Sequence, residues 1–137
     1  MPSTGDSSSC SGAGTRRAHI ARAALDAIAW RVADIVAVIQ ETVPLEVLRV
    51  DGGLTRDPTL LQSQADAAGL TVQRGPVDAT AAGAAALAAV GSGTWSSTLD
   101  IEEKVPAGER FEPRRDARWR DAARADWRAF VERAAEL

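Results

Sequence analysis

The stretch Leu48-Arg49-Val50-Asp51-Gly52-Gly53-Leu54-Thr55 constrains the fold most, because a short apolar, β-branched run stops there in two glycines. A strand ending in paired glycines lets backbone approach something that a Cβ would exclude. Asp57-Pro58, followed by Leu60-Leu61, has the form of a helix start, with a carboxylate at the N-cap and proline at the first helical position. Strand, glycine turn and helix N-terminus make one of two things. They form a corner that faces an anion or nucleotide, or a plain tight connection.

The flanking chain alternates helix with strand. From Thr15 to Thr42, Ile20, Leu25, Ile28, Val32, Ile35, Val36 and Ile39 recur at helical spacing, with Arg22, Asp26, Arg31 and Asp34 largely between them. This predicts a long amphipathic helix, stopped by Pro44. Leu45 to Val50 reads as a buried strand. Asp57 to Ala68 reads as a helix with Gly69 as its stop, and Leu70 to Arg74 as a second strand broken by Gly75-Pro76. Asp78 then caps an alanine helix running to Val90. Gly83 in its middle costs about 1 kcal/mol relative to alanine, so it marks either tight packing or direct ligand contact. Gly91 to Pro113 reads as a loop holding Trp95 and Phe111. Beyond it, Trp119, Ala123, Trp127, Phe130 and Val131 at helical spacing predict a C-terminal helix docking aromatic side chains on the body. The class is therefore α/β, with a parallel strand pair. Two strands leave two open edges, so the isolated chain is expected to be loosely folded or prone to associate.

With 137 residues, 45% of them hydrophobic, the chain has enough material for one ordinary domain. A net charge of −3 argues against a nucleic-acid partner. All but one of the 16 basic residues are arginine, Lys104 being the exception, and with the abundant alanine this reads as codon bias more than chemistry. A single cysteine, Cys10, excludes an intramolecular disulfide framework. No apolar run reaches the roughly 18 residues of a membrane span. Residues 1–14 are polar, without the apolar centre of a signal peptide, and read as a disordered leader. A soluble cytoplasmic protein follows by default.

Single residues narrow the chemistry further. His19 is the only histidine, so neither a triad nor a multi-histidine metal site can be drawn. Cys10 lies in the leader, away from any folded nucleophile site. Asp51 is expected to bond to turn backbone rather than to act as a base. Arg114, Arg115, Arg118, Arg120, Arg124 and Arg128 alternate with Asp116, Asp121 and Asp126, the pattern of a solvated, salt-bridged face. Trp30, Trp119 and Trp127, at helical positions, read as core anchors. No catalytic or metal-binding residue is assigned.

Three ordered segments carry a resemblance. The helix opening Thr15-Arg16-Arg17-Ala18-His19-Ile20-Ala21-Arg22, the turn Val50-Asp51-Gly52-Gly53 and the segment Thr80-Ala81-Ala82-Gly83-Ala84-Ala85-Ala86 stand in an order and spacing similar to the C-terminal part of the FGGY family of carbohydrate kinases. The glycerol-phosphorylating members are the nearest likeness. The resemblance runs from about Gly14 to the C-terminus. It implies a partial actin-like, ribonuclease H-like α/β domain, with residues 15–113 as part of the nucleotide-binding domain and 114–137 as a helix packed on it. Gly52 and Gly53 are then expected to approach the adenosine of ATP through their backbone. Asp57 stands where the family usually offers an asparagine. It either accepts from the adenine amino group or serves only as the helix N-cap. In such kinases the phosphate-gripping loops, the Mg²⁺-binding acid and the base lie upstream. The chain therefore reads as the adenosine-side portion of an ATP-dependent polyol kinase, inactive alone. Its expected partners are ATP or ADP, a missing N-terminal kinase portion, or a second copy, with no nucleic acid and no membrane. The other readings are a non-catalytic remnant that keeps a nucleotide or protein contact surface, and an unrelated α/β domain. Residues 2–14 are expected to lack a family counterpart, as a truncated or frame-shifted gene would produce.

Overall fold

The computed structural model describes residues 14–76, 78–104 and 108–136, so most of the expected leader lies outside the described residues. In chain order the elements are α1 (Arg17–Gln40), β1 (Val47–Val50), a 3₁₀ turn (Gly53–Arg56), α2 (Pro58–Ala68), β2 (Thr71–Arg74), α3 (Ala79–Gly91), α4 (Leu99–Lys104), β3 (Arg110–Phe111) and α5 (Ala117–Ala135). Local chemistry sets several boundaries. The Asp57 carboxylate accepts from the Thr59 amide at 2.8 Å, and Pro58 begins α2. Gly69 ends α2 in the left-handed region at φ 69°, and the Arg120 guanidinium fills the space where a Cβ would stand. At the start of α1 the Arg16 amide donates to His19 Nδ1 at 3.3 Å, a bond the composition of that turn did not signal.

β1 and β2 pair in parallel, with Leu48 opposite Val72 and Val50 opposite Arg74. α2 is the crossover between them. The expectation of two strands is corrected here: β3 pairs antiparallel with β2, with Val72 opposite Phe111, giving the order β1-β2-β3. The stretch read as loop holds both α4 and this strand. β3 is two residues long, too short for any period, and tertiary contact defines it. Phe111 fills the core beside Leu61, Ala65 and Val72, while Leu48 and Val50 pack against the same cluster. At Gly108, just before β3, a Cβ would collide with the Arg74 carbonyl oxygen. The sheet still has two outer edges, as expected, but they belong to β1 and to the two-residue β3, while β2 has partners on both sides.

A second cluster joins the helices. Ala29 and Ala33 of α1 meet Ala67 of α2, with Trp30 and Ala68 beside them, and such small side chains let two helix backbones come close. Buried Ser63 donates to Asp26 at 3.0 Å and accepts from Arg22 at 3.2 Å. Arg22 itself donates to the Asp26 carboxylate at 2.9 Å, and that bond pushes its pKa upward.

α5 meets α1 through aromatic side chains, and the expected core anchors are corrected: Trp119 is exposed, and Trp30 and Trp127 are half-buried. Trp30 and Trp119 lie 6.1 Å apart, and the Trp127 indole donates to Asp34 at 2.9 Å. The salt-bridged face is a correction: among the described residues no α5 side chain forms an ion pair. Arg124 and Arg120 donate to the carbonyls of Ala33 and Arg115, Arg115 lies over the Trp119 ring, and Asp116 caps the helix by accepting from the Trp119 amide. These groups are occupied by carbonyls, a ring and a cap, which sequence alternation does not encode.

Candidate functional site at the end of the parallel strands

In an open α/β sheet, ligands sit outside the carboxyl ends of the parallel strands. Here the Gly75 amide donates to the Val50 carbonyl at 2.7 Å, so the two strands end together. Gly52 follows with φ 95° and ψ 176°, a region open essentially to glycine alone. Its carbonyl accepts twice from buried Thr55, at 3.1 Å from the amide and 2.7 Å from the hydroxyl. Thr55 therefore locks the turn. The sequence reading missed it, although a threonine hydroxyl is able to reach back to a carbonyl three residues earlier.

Gly53 is different. Its φ is ordinary, and a Cβ there would meet nothing within 4 Å. Neither conformation nor packing within the chain requires glycine at 53. Asp57 lies at the far end of the 3₁₀ turn, with Oδ1 engaged by the Thr59 amide. Its second oxygen has no hydrogen bond among the described residues.

A cleft of about 500 Å³ opens between this turn and the start of α3, lined chiefly by Gly52, Ala79, Thr80, Ala81 and Ala84, with the carboxyl-bearing Asp51 and Asp78 at its walls. Among the described residues no bulky side chain lines it. Gly53 and Asp57 are outside its lining, so of the three expected nucleotide contacts only Gly52 is placed there. Asp51 is exposed, and its expected bond to turn backbone is absent among the described residues; Thr55 takes that role. Asp78 occupies the N-cap position of α3 without a side-chain capping bond, a second correction, and among the described residues no side chain accepts from the first amides of α3. Tight packing around Gly83 is also corrected: the residue is exposed, and a Cβ would meet nothing within 4 Å.

Other candidates lie apart from this cleft. His19 is exposed at the head of α1. Asp100 binds the amides of Ser96 and Ser97, which with nearby Lys104 hold its pKa below the usual carboxylate range. Among the described residues no three metal-ligating side chains come together, and no helix is long and apolar enough to cross a membrane.

Comparison with known proteins places these elements. The family model of the C-terminal domain of FGGY carbohydrate kinases matches residues 3–92, reaching back into the segment expected to lack a family counterpart. Glycerol kinase of Nitratidesulfovibrio vulgaris is 44% identical over 124 residues, and that of Aromatoleum aromaticum 47% identical over 124 residues. Each alignment takes in 88% of this chain and 25% of the relative, so the chain spans about a quarter of the length of these relatives. In three dimensions it resembles Plasmodium falciparum glycerol kinase with ADP, at TM-score 0.77 and 29% identity over 88% of this chain and 25% of that one. Xylulose kinase from Rhodospirillum rubrum gives TM-score 0.70 and 27% identity over 90% of this chain and 26% of that one. The small sheet, its covering helices and the glycine turn are thus the C-terminal part of an actin-like sugar-kinase fold, and the chain belongs to the FGGY family of carbohydrate kinases.

Proposed function

We propose that the Gly52-Gly53 turn is the wall against which the adenosine of ATP rests in a glycerol-type kinase. The observation that carries this is Gly53, which nothing in the chain's own conformation or packing requires to lack a side chain. The adjoining cleft of small side chains, which Gly52 lines and Gly53 does not, supports it, as does the ADP named with the similar P. falciparum enzyme. In the reaction a polyol hydroxyl oxygen bonds to the γ-phosphorus of ATP, the bond from that phosphorus to the ADP oxygen breaks, and the hydroxyl proton passes to a base. Such transfer rests on positioning and on neutralising phosphate charge with Mg²⁺. Our reading gives this segment the nucleoside end only. Asp57 caps α2 and keeps one oxygen for an amino donor. The phosphate grip, the metal ligands and the base belong to the remainder of such an enzyme, and the chain alone is inactive.

Gly53→Leu is the direct test. Its Cβ enters open space, so folding stability should change by no more than about 0.5 kcal/mol. Titration calorimetry and tryptophan fluorescence are expected to show ATP binding to the parent chain at millimolar concentration, and its loss in the variant. No heat and no fluorescence change from the parent chain at that concentration, or equal binding by the variant, would refute the reading. A second reading, a non-catalytic module that contacts protein, has one observation in its favour: the bare apolar side of α1.

A further inference from the structure

A second cleft, of about 680 Å³, opens where α1, α2 and β3 meet the segment leading into α5. It has no lining residue in common with the corner at Gly52, and its volume suits a small molecule rather than a bare ion. Arg22, Arg114 and Arg115 line it, together with the carboxylates of Asp66 and Glu109. Two of these charges are already matched. Arg22 pairs with Asp26 at 2.9 Å, and Glu109 with Arg74 at 3.2 Å. Asp66 is occupied by hydrogen bonds, its Oδ1 accepting from the Gln62 side chain at 3.1 Å and from the Arg114 amide at 2.6 Å. Arg114 and Arg115 are different. Among the described residues their guanidinium groups form no ion pair, and the hydrogen bonds of both residues run through backbone atoms. The Arg115 guanidinium lies 5.3 Å from the centre of the Trp119 ring, which holds the group without cancelling its charge. The Arg114 backbone is tied to Asp66 and preceded by Pro113, so both side chains leave a fixed stretch of chain. Two neighbouring cations facing one cleft repel, and an anion between them removes that cost.

We propose that this cleft binds the phosphate monoester of a small hydroxylated molecule, with Arg114 and Arg115 forking its phosphate oxygens. The geometry of the donors selects the group. Each guanidinium presents a planar fork. A phosphate has three oxygens to serve two such forks, whereas a carboxylate has two and fills one. The Thr59 hydroxyl and the Gln62 carbonyl oxygen, both at the cleft wall, have no hydrogen bond among the described residues, and they accept from hydroxyls of the remaining body. A sugar phosphate meets all of these conditions. The site uses no group from the nucleotide corner.

Titration calorimetry of the full chain with glucose 6-phosphate is the test, with glucose and inorganic phosphate as comparison arms. Saturable millimolar binding of glucose 6-phosphate is expected, with weaker binding of inorganic phosphate and none of glucose. Affinity should fall as sodium chloride is raised. The Nε–Hε resonances of Arg114 and Arg115 should move during the titration, which places the ligand at this cleft. Arg114→Gln and Arg115→Gln should each weaken binding about tenfold, the loss of one charge-assisted pair. Both side chains are exposed and the hydrogen bonds of their residues use backbone, so thermal unfolding of these variants should stay close to that of the parent. Arg128→Gln, on α5 and outside the cleft lining, should bind as the parent does. Absence of saturable binding overturns the proposal. So does unchanged affinity in the double variant R114Q/R115Q, or equal binding of inorganic phosphate and glucose 6-phosphate.

Discussion

Two adjacent glycines have different physical reasons. Gly52 is held at φ 95°, where a Cβ is strained, whereas Gly53 has ordinary backbone and open space. A sequence shows both as the same letter, so the pair was legible as a turn, but which glycine answers to conformation was not. Asp57 was more readable. Carboxylate, proline and apolar pair together announce a helix start through strictly local geometry, and the capping bond to Thr59 is present at 2.8 Å. Asp57→Ala is therefore expected to lower stability by about 1 kcal/mol in urea unfolding, while Asp57→Asn keeps the cap and loses little. Equal stability of all three chains would show that the bond contributes nothing. Thr55 and Asp51 mark the limit of such reading. Either residue type can hold a turn, and the closing bond goes to the side chain that the backbone path leaves nearer.

At the level of elements, Arg17–Gln40 and Pro58–Ala68 were foreseeable because helical periodicity and caps repeat over many residues. β3 was not, because two residues carry no period; Phe111 is placed by the cavity beside Val72. The C-terminal helix was visible as an element and misread as a surface, since charge alternation counts possible partners but not the carbonyls, caps and rings that packing offers first. Its attachment to α1 through Trp127 and Asp34 is testable. Trp127→Phe keeps most of the ring area but removes the indole donor, so stability should fall by about 1 kcal/mol. In a double-mutant cycle with Asp34→Ala the two losses should be less than additive. Strict additivity would mean that the 2.9 Å bond carries no energy.

Across the whole molecule, the class and the order of the four longer helices were recoverable from pattern, whereas burial was not. Ile35 and Ile39 fit a helix face that looks like core, yet the described chain leaves them in water, because nothing in a hydropathy period says which neighbour covers a row. Exposed apolar rows of this kind favour contact with other molecules. Sedimentation should accordingly show concentration-dependent association that sulfate strengthens, and thermal unfolding should be broad. A sharp transition from a monodisperse monomer would contradict this. The strand that seals the far side of β2 then governs what such association can become. The β1 rim offers a four-residue ladder and the opposite rim only the two residues of β3, so two molecules meeting β1 to β1 use up the longer rim of each. What remains exposed on such a pair is the Arg110–Phe111 edge, and a strand that short gives a poor template for fibrous polymerisation.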